Sequence, residues 1–105
     1  MRTMRLIIVA GGLTFASTVP AGDNMGRQVF TELAQPSCTL CHTLADADAA
    51  GTIGPNLDEL QPDRERIVRA VTSGVGVMPS FEASLTAAEI QAVADYVASV
   101  TRQPR

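Results

Sequence analysis

Tryptophan and lysine are missing from this chain, which has one tyrosine, three phenylalanines and one histidine. A core with so few rings must take its bulk from something other than aromatic side chains. The two cysteines, Cys38 and Cys41, stand three residues apart. A disulfide between them would close a tiny loop and constrain the unfolded chain little, so this is no disulfide scaffold. With one His and two Cys, a zinc site lacks its fourth ligand. No segment alternates with a period of two, so no strand is expected. At 105 residues there is room for one small domain, and 46% hydrophobic against 18% charged excludes a disordered acidic tail, a collagen-like repeat or a coiled coil.

The charge is split unevenly along the chain. Arg2 and Arg5 precede an apolar run, Leu6–Ala16, and all eleven acids lie from Asp23 onward. Val19-Pro20-Ala21 then offers small residues at the −3 and −1 positions of a cleavage site. This is the pattern of a secretory signal peptide, with cleavage expected after Ala21 and a domain over 22–105. The competing reading is an uncleaved anchor or a buried helix. Against it, the run is short for a bilayer and no stop-transfer pattern follows. No Cys follows it for a lipid anchor. Without Arg2 and Arg5, six arginines face eleven acids, a net charge of −5. That argues against nucleic acid or an anionic membrane surface as partner. A domain of this size is only marginally stable on its core alone, and exported ones usually carry disulfides, a metal or a cofactor.

Cys38-Thr39-Leu40-Cys41-His42 supplies the strongest signal. C-x-x-C-H is the covalent attachment motif for haem c. Two thiols three apart on a helical turn can each add across one vinyl group of a single porphyrin. The next residue, His42, is then held under the ring with its imidazole in reach of iron. A thioredoxin-like pair would need a βαβ pattern and a larger domain. A coincidental buried Cys pair would leave the single His unexplained.

The sixth iron position falls to a Met or stays open, because His42 is the only His. Met1 and Met4 leave with the leader, so Met25 and Met78 remain. Met25 opens the first expected helix, on an element that should pack away from the open face of the ring. Met78 sits in Gly74-Val75-Gly76-Val77-Met78-Pro79, a loop able to bring its backbone close to a porphyrin. Met78 is the favoured ligand; the bland reading is a gap-filling core Met.

Three helices are expected. The first runs from Asp23 or Asn24 to Ala34, with Asp23 as N-cap and Pro36 stopping it. Gly26 and Phe30 share one of its faces. The second runs from near Asp63 to Ser73, stopped by Gly74, with Ile67, Ala70 and Val71 on its apolar side. Its Arg64, Glu65, Arg66 and Arg69 form a mostly solvated face, and spacing does not decide which arginine would meet a haem propionate. The third opens on a Thr86–Glu89 capping box with a Leu85–Ile90 staple, and continues as an Ile90, Val93, Val97, Val100 stripe. Asp46 and Asp48 are expected to be plain solvated acids.

In these blocks the chain resembles a small monohaem class I c-type cytochrome over nearly all of 22–105. The resemblance is carried by Gly26–Phe30, Cys38–His42, Gly54-Pro55-Asn56-Leu57, Gly76–Phe81 and a closing helix around Val93, Tyr96 and Val97. In block order it is most similar to the small cytochromes that accept electrons from periplasmic molybdenum sulfite dehydrogenases. The resemblance implies an all-α, cytochrome c-like fold of three main helices with long loops around one covalent haem. It implies iron ligation by His42 and Met78 and attachment through Cys38 and Cys41. It further implies that the Pro55 carbonyl orients His42, that Leu57 packs on the ring and that Gly26 lets the first and last helices approach.

The functional expectation is a periplasmic, monomeric one-electron carrier that is not an enzyme. By resemblance its donor is a dehydrogenase, a sulfite dehydrogenase among them, and its acceptor a terminal oxidase or another cytochrome. Docking would use the apolar surface around the haem edge, including Thr39 and Val77–Ser80. Two alternatives stand beside it: a five-coordinate haem protein that binds gases or acts like a peroxidase, and a haem subunit held permanently by a dehydrogenase.

Overall fold

The computed structural model describes residues 3, 7–12 and 21–102. Most of the expected leader over 1–21 thus lies outside the described residues. Among the described residues no helix is long and apolar enough to cross a membrane.

The first helix, α1, spans Ala21–Gln28 and continues as a π-helical turn over Val29–Leu33. Residue 23, the expected N-cap, falls within this range, and its side chain lies outside the described residues. A 3-10 turn, Cys38–Leu40, follows. Next comes a small antiparallel hairpin, β1 (Thr43–Leu44) with β2 (Ala49–Ala50), pairing Thr43 with Ala50 and Leu44 with Ala49. The expectation of no strand is thereby corrected: the fold is helical with one minimal sheet. Strands of two residues are too short to show alternation, which is why the pattern was invisible. A short helix, α2, spans Leu57–Leu60, capped by Asn56, whose side chain accepts from the backbone N–H groups of Asp58 and Glu59. This fourth helix was not foreseen, although Asn followed by two acids is an N-terminal helix signature.

The two later helices form where expected. Helix α3 spans Arg64–Ser73 with Asp63 as N-cap, its side chain accepting from Arg66 N–H, and Gly74 at its end. Helix α4 spans Ala87–Thr101 and opens on the full capping box: Glu89 N–H donates to Thr86 Oγ1 and Thr86 N–H to the Glu89 carboxylate. Leu85 and Ile90 are both buried, as a staple requires.

Helix α4 is the spine of the core. It packs against both α1 and α3. Gly26 sits where α1 crosses α4: a Cβ there would collide with the Ala92 carbonyl oxygen and Tyr96 Cβ. One turn on, the Phe30 ring meets the Tyr96 ring edge-on, centroids 6.3 Å apart. Val29, Phe30, Leu44, Val93 and Val97 complete the centre. Asp46 is not a plain solvated acid. It accepts a 2.5 Å hydrogen bond from Tyr96 Oη, which ties the hairpin turn to α4.

Candidate cofactor site

The attachment segment is shaped by Ser37. Its Oγ accepts from Thr39 N–H at 3.3 Å, pairs with Thr39 Oγ1 at 2.8 Å and donates back to the carbonyls of Phe30 and Thr31. This caps the following turn while holding it against the end of α1. The turn is closed by Cys41 N–H and His42 N–H, both donating to the Cys38 carbonyl, at 3.3 and 3.0 Å. Helical spacing then puts Cys38, Cys41 and His42 on one side, where all three line a cleft, while Leu40 points out and is 61% exposed. Ser37 escaped the sequence reading, although a Ser just before a turn is a capping signal.

His42 is fixed from below. Its Nδ1 lies 2.8 Å from the Pro55 carbonyl oxygen. A carbonyl only accepts, so Nδ1 carries the proton and Nε2 keeps a free lone pair. Gly54 lies against the ring: a Cβ there would come within 2.7 Å of Cε1 and 3.0 Å of Nδ1. The same loop is laced to the attachment segment by Gly54 N–H to the Cys41 carbonyl at 2.7 Å and Gly51 N–H to the His42 carbonyl at 3.3 Å. Thr43 Oγ1 adds a bond to the Gly51 carbonyl.

Met78 also lines the cleft, half-buried, from the loop after α3. Val75 and Met78 exchange both backbone hydrogen bonds, at 3.1 and 3.0 Å, which makes a tight loop. Ser80 Oγ to the Thr72 carbonyl and Phe81 N–H to the Val71 carbonyl tie it to the end of α3. Met25 packs against the core and is not among the cleft-lining residues.

The cleft has a volume of about 360 Å³, and Leu57, Ile67, Val71, Phe81, Val93 and Val97 form much of its wall. Pro55 and Leu57 both line this cleft. Burial pushes the Cys38 thiol up to about 11; a backbone hydrogen bond opposes this and the Cys41 charge adds to it. In the folded chain Cys38 is therefore a neutral thiol at neutral pH.

The residues fit an iron porphyrin. Two thiols, a free imidazole nitrogen and a thioether face one apolar space, a donor set suited to iron in a flat organic ring. Among the described residues no three His, Cys, Asp or Glu side chains gather as a bare metal site.

Comparisons with known proteins give a family and a structural neighbour. A family model described as cytochrome c oxidase, cbb3-type, subunit III, matches residues 23–97. Among solved structures, the c-type cytochrome SorU from Sinorhizobium meliloti is 58% identical, with a TM-score of 0.72, over 74% of this chain and 88% of that one. Among curated proteins nothing matches.

Proposed function

The chain belongs to the cytochrome c family described as cytochrome c oxidase, cbb3-type, subunit III, and on that premise we propose that it is a one-electron carrier with one haem c. Cys38 and Cys41 attach the haem, and His42 and Met78 ligate its iron. The observation that carries this reading is the meeting of Cys38, Cys41, His42 and Met78 on one apolar cleft. When bound, the haem would supply reversible one-electron chemistry at its iron.

The chain's own residues set the terms of that chemistry. The Pro55 carbonyl holds the His42 ring in one tautomer and raises its basicity. Met78 offers a soft sulfur that favours the reduced state and lifts the potential relative to two imidazoles. With a haem seated, the apolar wall would limit water around it, which keeps the surroundings similar in both oxidation states. Exposed Val77 and Pro79 at the rim, with exposed Ser80 next in the chain, offer a small contact face for transient redox partners.

The sequence resemblance supports a periplasmic location after removal of 1–21, a sulfite dehydrogenase as donor and a terminal oxidase or cytochrome as acceptor. The acidic balance of 22–105 suits a partner with a basic docking patch.

The test is the optical spectrum of protein made with a haem-attachment system, oxidised and reduced, with carbon monoxide added to the reduced form. The expected result is a covalent c-type spectrum, the weak long-wavelength band of Met-to-iron coordination, and no response to carbon monoxide. Immediate carbon monoxide binding with the Met band missing would replace the carrier with an open, ligand-binding haem.

A further inference from the structure

Apart from His42, Arg66 is the one basic side chain among the described residues that line the cleft. Arg66, Ile67, Ala70 and Val71 line the cleft from one face of α3. The three arginines of this helix have different surroundings. Arg64 is committed to α4: its Nε donates to Asp95 Oδ1 at 2.5 Å and its Nη2 to Gln91. Arg69 is exposed and is not a wall residue. The Arg66 guanidinium makes no ion pair or hydrogen bond with any described residue. Its backbone is held, because Arg66 N–H donates to Asp63 Oδ1 at 2.8 Å.

A haem brings two carboxylates into a site whose wall is otherwise apolar. A carboxylate at such a wall needs water or a charge-assisted partner. Ser37, the one wall hydroxyl, is already engaged with Phe30, Thr31 and Thr39. We infer that Arg66 is the residue of this chain that pairs with a haem propionate, at the side of the cleft formed by Pro62 and α3. The inference rests on the haem c reading above. Arg66 both lines the cleft and is exposed, as expected of a stem lying on apolar wall with its head at the rim. A guanidinium there presents a planar fork to a carboxylate. A positive charge held at the propionate edge would oppose the oxidised state and so raise the reduction potential.

The experiment compares the haem-loaded wild type with R66Q, R66K and R69Q, reading reduction potential and the propionate bending band in the resonance Raman spectrum. All four are expected to keep the Met-to-iron band. R66Q should show a lower potential and a shifted propionate band, R66K should recover most of the potential, and R69Q should match the wild type. An R66Q potential and propionate band equal to wild type overturn the assignment. So does a fall in R66K or R69Q as large as that in R66Q. The wild-type spectrum separates the two levels: no covalent haem there sinks the haem reading itself, whereas a normal spectrum with a silent R66Q sinks only the role of Arg66.

Discussion

At the scale of single residues, the site turns on how little space surrounds the His42 imidazole. Pro55 accepts from Nδ1 and Gly54 abuts the ring near Cε1, with no room for a Cβ. Alanine at position 54 would place a carbon 2.7 Å from Cε1, closer than real side chains approach. Either the ring tilts or the loop lifts, and both disturb the bond to Pro55. Such overpacking typically costs about 1–3 kcal/mol. G54A is expected to fold and attach haem but to show a changed reduction potential and a lower melting temperature. Voltammetry with thermal melting checks this, and wild-type values on both would mean that the loop yields without moving the imidazole.

At the scale of elements, the contact between α4 and the hairpin deserves its own test. Tyr96 is buried, stacks edge-on against Phe30 from α1 and reaches Asp46 in the hairpin turn. One side chain therefore joins three parts of the chain, and the hairpin it holds is the one that leads away from His42. Y96F keeps the ring contacts and removes the hydrogen bond, a loss of about 1 kcal/mol. For a domain of this size that lowers the melting temperature by roughly 4–8 °C. The pH dependence has a definite sign. Burial first, then the hydrogen bond and charge of Asp46, hold the Tyr96 hydroxyl above its ordinary value, with Arg27 pulling slightly the other way. A raised value stabilises the fold below the unfolded-state pKa of about 10 and loses that contribution as pH climbs toward the folded value. Denaturant titrations of wild type and Y96F should thus differ at pH 7 and converge above pH 10. A constant gap across that range would show that the hydroxyl does not titrate differently in the folded chain.

At the scale of the whole molecule, the cleft is too large for a domain this small to carry empty. A closed void of 360 Å³ would cost about 9 kcal/mol at the usual cavity coefficient, an upper figure because this one opens to solvent. Small domains have only about 5–15 kcal/mol in total. Core residues on three sides of the space, Phe30, Ile67 and Val97, would lose a packing partner at once. The C38S/C41S double variant, produced without haem, is expected to lose cooperative thermal unfolding and near-UV dichroism while keeping helical far-UV signal. A sharp transition at the wild-type temperature would show that the helices alone make the core.

The sequence by itself determined whatever is local. The cap at Asp63, the Thr86–Glu89 box, the stop at Gly74 and the grouping of Cys38, Cys41 and His42 all arise from bonds spanning three or four residues, so their residue types and spacing suffice. The hairpin, α2 and the π-helical end of α1 went unread because each is too short or too irregular for periodicity to register. Only the tertiary structure decided the rest. That Asp46 meets Tyr96, fifty residues on, depends on where the hairpin lands against α4. That Arg64 turns to α4 while Arg66 turns to the cleft depends on which side of α3 each neighbour occupies. That Met78 lines the cleft and Met25 packs elsewhere depends on the path of the loop after α3 and on the packing of α1. These are contacts between distant segments, made when packing brings the elements together, and no local pattern encodes them.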